Sequence, residues 1–148
     1  MKIYNNTIQD NDMNTNINNE LRPDLVWEEI RGQCVSKKNN YTVGNNKHGE
    51  RYIVKTQRLK DYERSFVDQC TIYKDRNIDK PFKLWVIVYE SSNSYDLDNS
   101  LGSILDGLQY AKAIRNDNQC IEIYSRKVID PINPRVRFAI EELEPTFF

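Results

Sequence analysis

Asp96, Asp98 and Asp117 are the residues of this chain best suited to chemistry. The first two stand in Asp96-Leu97-Asp98-Asn99, and the third follows 21 residues after Asp96. Three carboxylates brought to one place repel one another unless a cation neutralises them. A ligand set made only of oxygens suits a hard metal such as Mg²⁺ or Mn²⁺. Such a metal activates water and stabilises the extra charge on a phosphodiester under cleavage. The same residue types also cap helices, so Asp98 or Asn99 serving as an N-cap is the competing reading. A calcium loop does not fit, because the position needing Gly is Leu101 and the position needing Glu is Gly107.

The elements that must position these acids can be read from periodicity. Phe82 to Tyr89 predicts a strand, with Phe82, Leu84, Val86 and Val88 on one face and Trp85, Ile87 and Tyr89 on the other. Apolar residues on both faces predict a sheet flanked by helices. A helix is expected from about Asn99 to Ala113, with Leu101, Ile104, Leu105, Leu108 and Ala111 buried. Leu59 to Tyr73 predicts a second helix through Leu59, Tyr62, Phe66, Cys70 and Tyr73. Short strands are expected at Arg51–Val54, Cys120–Val128 and around Val136–Ile140. Leu25 to Val35 is ambiguous, with an end that suits a strand, and Tyr41 to His48 reads as a loop. The fold class is therefore α/β or α+β, with a mixed sheet and two main helices. A strand end, a helix start and a helix exit are expected to bring the three acids to one sheet edge.

Composition bounds the function. The chain has 148 residues, 21 Lys+Arg, 22 Asp+Glu and a formal net charge of -1. That length predicts one domain. Asn-rich residues 1–22 predict a flexible extension, and residues 23–148 the domain proper. Charge is unevenly spread: Arg31 to Arg76 holds eleven Lys/Arg against five Asp/Glu. Such a basic segment among acidic flanks suits either a solvated face of mixed charge, which charge alone favours, or a polyanionic partner, and it excludes a uniformly basic coating protein. No apolar run is long enough to span a membrane, and the N-terminus lacks the apolar stretch of a signal peptide. Cys34, Cys70 and Cys120 match neither a zinc pattern nor a disulfide framework, which points to a reducing cytoplasm. His48, the only histidine, falls in a Gly/Asn-rich loop.

Four short motifs in order carry a resemblance. Ser36-Lys37-Lys38-Asn39 comes first, then Asp96-Leu97-Asp98-Asn99, then Ile104-Leu105-Asp106-Gly107-Leu108, then Asn116-Asp117-Asn118-Gln119. Together they resemble the RusA family of Holliday junction resolvases over roughly residues 32–142. The resemblance implies a Mg²⁺-dependent, structure-selective endonuclease of phage or prophage type that binds a four-way DNA junction as a homodimer. Asp96, Asp98 and Asp117 would be its metal-binding catalytic acids, with Asn99 and Asp106 in support. Lys37, Lys38, Arg58, Lys60 and Arg64 are candidate DNA contacts. Glu90, at the end of the buried strand, is a candidate fourth ligand, and Tyr95 a candidate base-stacking residue.

The chain departs from the family pattern at three places. Gly102 stands where the family commonly has a catalytic lysine, Asn116 replaces the first acid of a pair, and the loop before Asp96 is rich in Ser and Asn instead of Arg. Lys37 or Lys38 would have to supply the missing charge. Two further expectations stay open: a branched-DNA-binding protein that cuts poorly, and a small interaction protein whose acids only cap helices.

Overall fold

The computed structural model describes residues 21–144. The frame is strand Phe82–Glu90, whose alternation places Phe82, Leu84, Val86 and Val88 in the core. In chain order the elements are β1 (Glu28–Arg31), β2 (Tyr41–Asn45), β3 (Arg51–Lys55), α1 (Gln57–Gln69), β4 (Phe82–Glu90), α2 (Leu97–Tyr110), a 3-10 turn (Asp117–Gln119), β5 (Cys120–Ile129) and β6 (Arg135–Glu142). β1, β6, β4 and β5 form a four-stranded sheet in that order, and β2 and β3 form a separate two-stranded one. β4 is parallel to β5 and antiparallel to β6, so the sheet is mixed and the fold α+β, as expected.

Both helices pack on one face of the sheet. Leu59, Tyr62 and Phe66 of α1 and Ile104 and Leu108 of α2 share a core with Ile30, Leu84, Val86, Val136 and Phe138. Phe66 stacks on Phe138 with ring centroids 6.0 Å apart. Burying each such side chain contributes roughly 1.5–3 kcal/mol. The expectation that helices flank both faces is corrected here. Among the described residues no helix covers the face that carries Trp85, Ile87 and Tyr89. Long side chains cover it instead: Lys83 lies 4.0 Å from the Trp85 ring centroid and Arg135 lies 3.6 Å from that of Tyr89. Ile87 is buried beneath this polar-aromatic layer.

Element boundaries differ from expectation for local reasons. β1 stops at Arg31 because Gly32 takes a positive φ of 106°. α1 ends at Gln69, and Glu28 binds the chain that follows. Its buried carboxylate accepts hydrogen bonds from the backbone N–H groups of Thr71, Ile72 and Tyr73 at 2.8, 2.7 and 3.1 Å. Tyr41–Asn45, expected as a loop, is a strand paired with β3. Arg22, expected in the N-terminal extension, pairs with Asp24 and Glu141 and lies over Trp85. The rest of the expected N-terminal extension, residues 1–20, lies outside the described residues. No helix among the described residues is long and apolar enough to cross a membrane.

Candidate functional site

α2 begins at the Glu90 end of β4. Asp96 is its N-cap residue, with extended φ and ψ of -87° and 131°. The Asp96 carboxylate makes no capping hydrogen bond and, among the described residues, accepts a side-chain bond from Asn99 Nδ2 at 3.4 Å. Capping by Asp98 or Asn99 therefore does not hold, since both lie inside the first helical turn. An N-cap aspartate that leaves the helix N–H groups alone keeps its oxygens available to another partner. Asp98 is exposed on the same turn, beside the positive end of the helix dipole.

A buried polar layer fixes this turn to the sheet. Glu90, fully buried, accepts hydrogen bonds from Ser100 Oγ at 3.0 Å and from Gln33 Nε2. Ser103 Oγ donates to the Val35 carbonyl at 2.6 Å. Ser100 and Ser103, together with Ile104, Gly107 and Leu108, form the buried stripe of α2. Leu101 and Leu105, expected in that stripe, sit half-buried at its border. The small buried serines let the β1–β2 loop lie close against the helix. Glu90 is spent on this layer, so it is a support beneath the site and not a fourth ligand facing solvent. Burial pushes the neighbouring Cys34 thiol up to about 11.

Above the layer lies a cleft of about 300 Å³. Ser36, Lys38 and Asn40 line one wall, Tyr95, Asp96 and Asn99 another, and Arg58 of α1 closes it. Three elements distant in sequence thus bring two cations, a carboxylate and several amide and hydroxyl groups into one depression. Thr56 caps α1 by accepting from Leu59 N at 3.3 Å, and it binds Asn40 through backbone and side chain, which aims Arg58 at the cleft. Lys60 and Arg64 are exposed on α1 but do not line the cleft.

Lys37 lies beside this cleft, along α2. Its Nζ pairs with Asp106 at 2.9 Å, and this hydrogen-bonded carboxylate raises the lysine above its ordinary range. Its stem crosses Gly102: a Cβ built there would stand 3.3 Å from Lys37 Cε. Asp106 is therefore the tether of Lys37. Asn40, Ser94 and Gln33 were not singled out from the sequence. Only the Ser36–Asn39 motif pointed toward this wall.

Asp117 stands elsewhere. It is exposed at the 3-10 turn that leads into β5, and its backbone N–H donates to Gln109 Oε1 at 3.1 Å, in the last turn of α2. β5 runs parallel to β4 with Cys120 opposite Phe82, so Asp117 lies at the Phe82 end of the sheet. Asp96 and Asp98 lie at the Glu90 end. The axial distance from Asp98 to Gln109 is about 16 Å. Convergence of the three acids on one sheet edge within a single chain is thus corrected. Among the described residues no group of three or more His, Cys, Asp or Glu side chains is gathered to hold a metal ion. Asp96 and Asp98 supply two oxygen-donor carboxylates of the kind a hard divalent cation takes.

No family model matches this chain, and no curated protein matches it.

Proposed function

We propose that this chain is a Mg²⁺-dependent, structure-selective DNA endonuclease of RusA type that resolves four-way junctions by paired nicks, in the cytoplasm of a bacterial or phage-infected cell. The observation that carries the reading is the cleft, which the uncapped Asp96 lines together with Lys38 and Arg58. Anionic groups for a divalent cation and cationic groups for a phosphate are what phosphodiester cleavage needs side by side. Mg²⁺, when bound by Asp96 and Asp98, would neutralise phosphate charge and activate water. Lys38 and Arg58 would hold the scissile strand, Asn99 would orient Asp96, and Tyr95 would stack against a neighbouring base.

The third acid comes from a second copy in this reading. Asp117 and the Asp96/Asp98 pair occupy opposite ends of α2. Two copies with α2 antiparallel across a two-fold axis would set Asp117 of each against Asp96 and Asp98 of the other. A junction presents two symmetric strands, and two such shared centres would cut both. The test is nicking of a synthetic four-way junction in Mg²⁺. Absence of cleavage by the wild type, or full cleavage by Asp98→Asn, would sink the assignment. The isolation of Asp117 from the cleft in one chain favours a second reading, a protein that holds branched DNA and cuts it poorly. Tight, salt-sensitive junction binding without nicking is its signature.

A further inference from the structure

Among the described residues, the β2–β3 hairpin joins no other strand. Its core residues are not buried. Val43 and Ile53 face each other directly across the pair and are 63% and 75% exposed. Tyr41, two residues from Val43 and so on the same face, is 44% exposed. An apolar cross-strand cluster open to water on this scale marks a contact surface.

The hairpin is held firmly at both ends. At the tip, Asn46 Oδ1 accepts from His48 N at 2.9 Å and Glu50 N at 3.0 Å, and Gly49 takes a positive φ of 78°. At the base, Thr56 N donates to the Asn40 carbonyl at 2.8 Å. Asn40 also lines the cleft, so the hairpin rises from the wall of the candidate site. From Asn40 to Asn46 it reaches about 20 Å.

Charge selects the partner. Lys47 and Arg51 flank the apolar pair toward the tip, and Lys38 and Arg58 stand at the base. All four are exposed, and none has an ion-pair partner within 4.0 Å among the described residues. Glu50 is the one acid between Lys38 and Arg58. Two copies of such an arm meeting face to face would set like charges together, which disfavours self-association. A polyanion meets no such penalty. The DNA major groove, about 12 Å wide, admits a two-stranded β-ribbon, whereas the major groove of duplex RNA is too narrow for side chains to read.

We propose that the β2–β3 hairpin is a DNA-binding ribbon that enters the major groove of the duplex arm whose backbone occupies the cleft. Val43 and Ile53 take the apolar contacts, and Lys47 and Arg51 take phosphates. The inference rests on the reading of branched DNA as substrate.

Fluorescence anisotropy on a labelled four-way junction in Ca²⁺, with the full chain, separates the two ideas. Lys47→Ala/Arg51→Ala should weaken binding about 10-fold or more at moderate salt and flatten the plot of log affinity against log salt by about two. Val43→Thr/Ile53→Thr, which keeps β-branched residues at exposed positions, should weaken binding several-fold with the slope unchanged. Val43→Thr/Ile53→Thr should leave weak binding to duplex RNA of the same sequence unchanged. Wild-type junction affinity in both variants would overturn the ribbon while leaving the nuclease intact. A Val43→Thr/Ile53→Thr variant that loses dimer mass by light scattering but keeps its DNA affinity would assign the arm to self-association instead. Wild type that binds junctions but never nicks them would overturn the endonuclease and not the ribbon.

Discussion

Lys37 Nζ lies 3.9 Å from the point where a Cβ on Gly102 would stand. Its amino group is drawn there by Asp106, one helical turn further along α2. In the proposed RusA-type reading, Gly102 stands where that pattern commonly has a lysine. Here the cation arrives from the β1–β2 loop, and the absence of a side chain at Gly102 gives the incoming stem its path. If that charge serves cleavage, Lys37→Gln should lower single-turnover nicking by roughly 100-fold, the scale of losing one charge-stabilising group. Adding Gly102→Lys to Lys37→Gln should restore most of it. Unchanged nicking by Lys37→Gln would show that the pair is structural only.

Asp98 and Asp117 act in one centre only if two copies share it. Asp98→Asn and Asp117→Asn should then each abolish nicking alone. Mixed and re-equilibrated, they should regain roughly a quarter of wild-type single-strand nicking, because half the dimers are mixed and each of those has one intact centre. Centres built within single chains give no recovery, since every copy then lacks one acid. The readout is nicked junction on a denaturing gel.

Two glycines of α2 should respond in opposite ways to alanine. A Cβ at Gly107 would stand 2.7 Å from Phe66 Cγ, inside the rigid Phe66–Phe138 stack. Overpacking of this kind costs about 1–3 kcal/mol, which outweighs the roughly 1 kcal/mol that alanine contributes through helix propensity. At Gly102 the obstacle is the movable end of Lys37, at 3.3 Å. Gly102→Ala should therefore leave stability unchanged or raise it by up to about 1 kcal/mol, while Gly107→Ala lowers it. Urea unfolding of the two variants reads the difference.

Local periodicity revealed the strand from Phe82 and the two helices because each has an apolar face that recurs at a fixed spacing. It failed at Tyr41–Asn45, where Gly44 and Asn45-Asn46 look like loop and the strand's partner lies in β3. The acids of the Asp96 turn were legible, but not their distance from Asp117. A parallel connection carries the chain back to the start of β4 before β5 begins, so the exit of α2 opens on the far end of the sheet. The approach of Lys37 to Gly102 was hidden for a different reason. It depends on Ser103 binding the Val35 carbonyl, a contact between residues 68 positions apart. Nothing in the spacing of charged residues encodes that.

Cys34 gives the chain a dependence on alkaline pH. Buried under the cleft, its thiol is pushed up to about 11 from an ordinary value of 9.0. Between those values the unfolded chain loses this proton and the native chain keeps it. The native state therefore binds more protons, and stability falls as pH rises through that window. Below about pH 8.5 the effect is absent, and by pH 11 it amounts to roughly 2–3 kcal/mol. Cys34→Ala should remove this part of the decline, at the cost of a small cavity that lowers stability equally at all pH values. Urea unfolding of wild type and Cys34→Ala at pH 7.5 and pH 10 measures it. The gap between the two proteins should narrow at pH 10, and a constant gap would show that the thiol ionises as freely in the native chain as in the unfolded one.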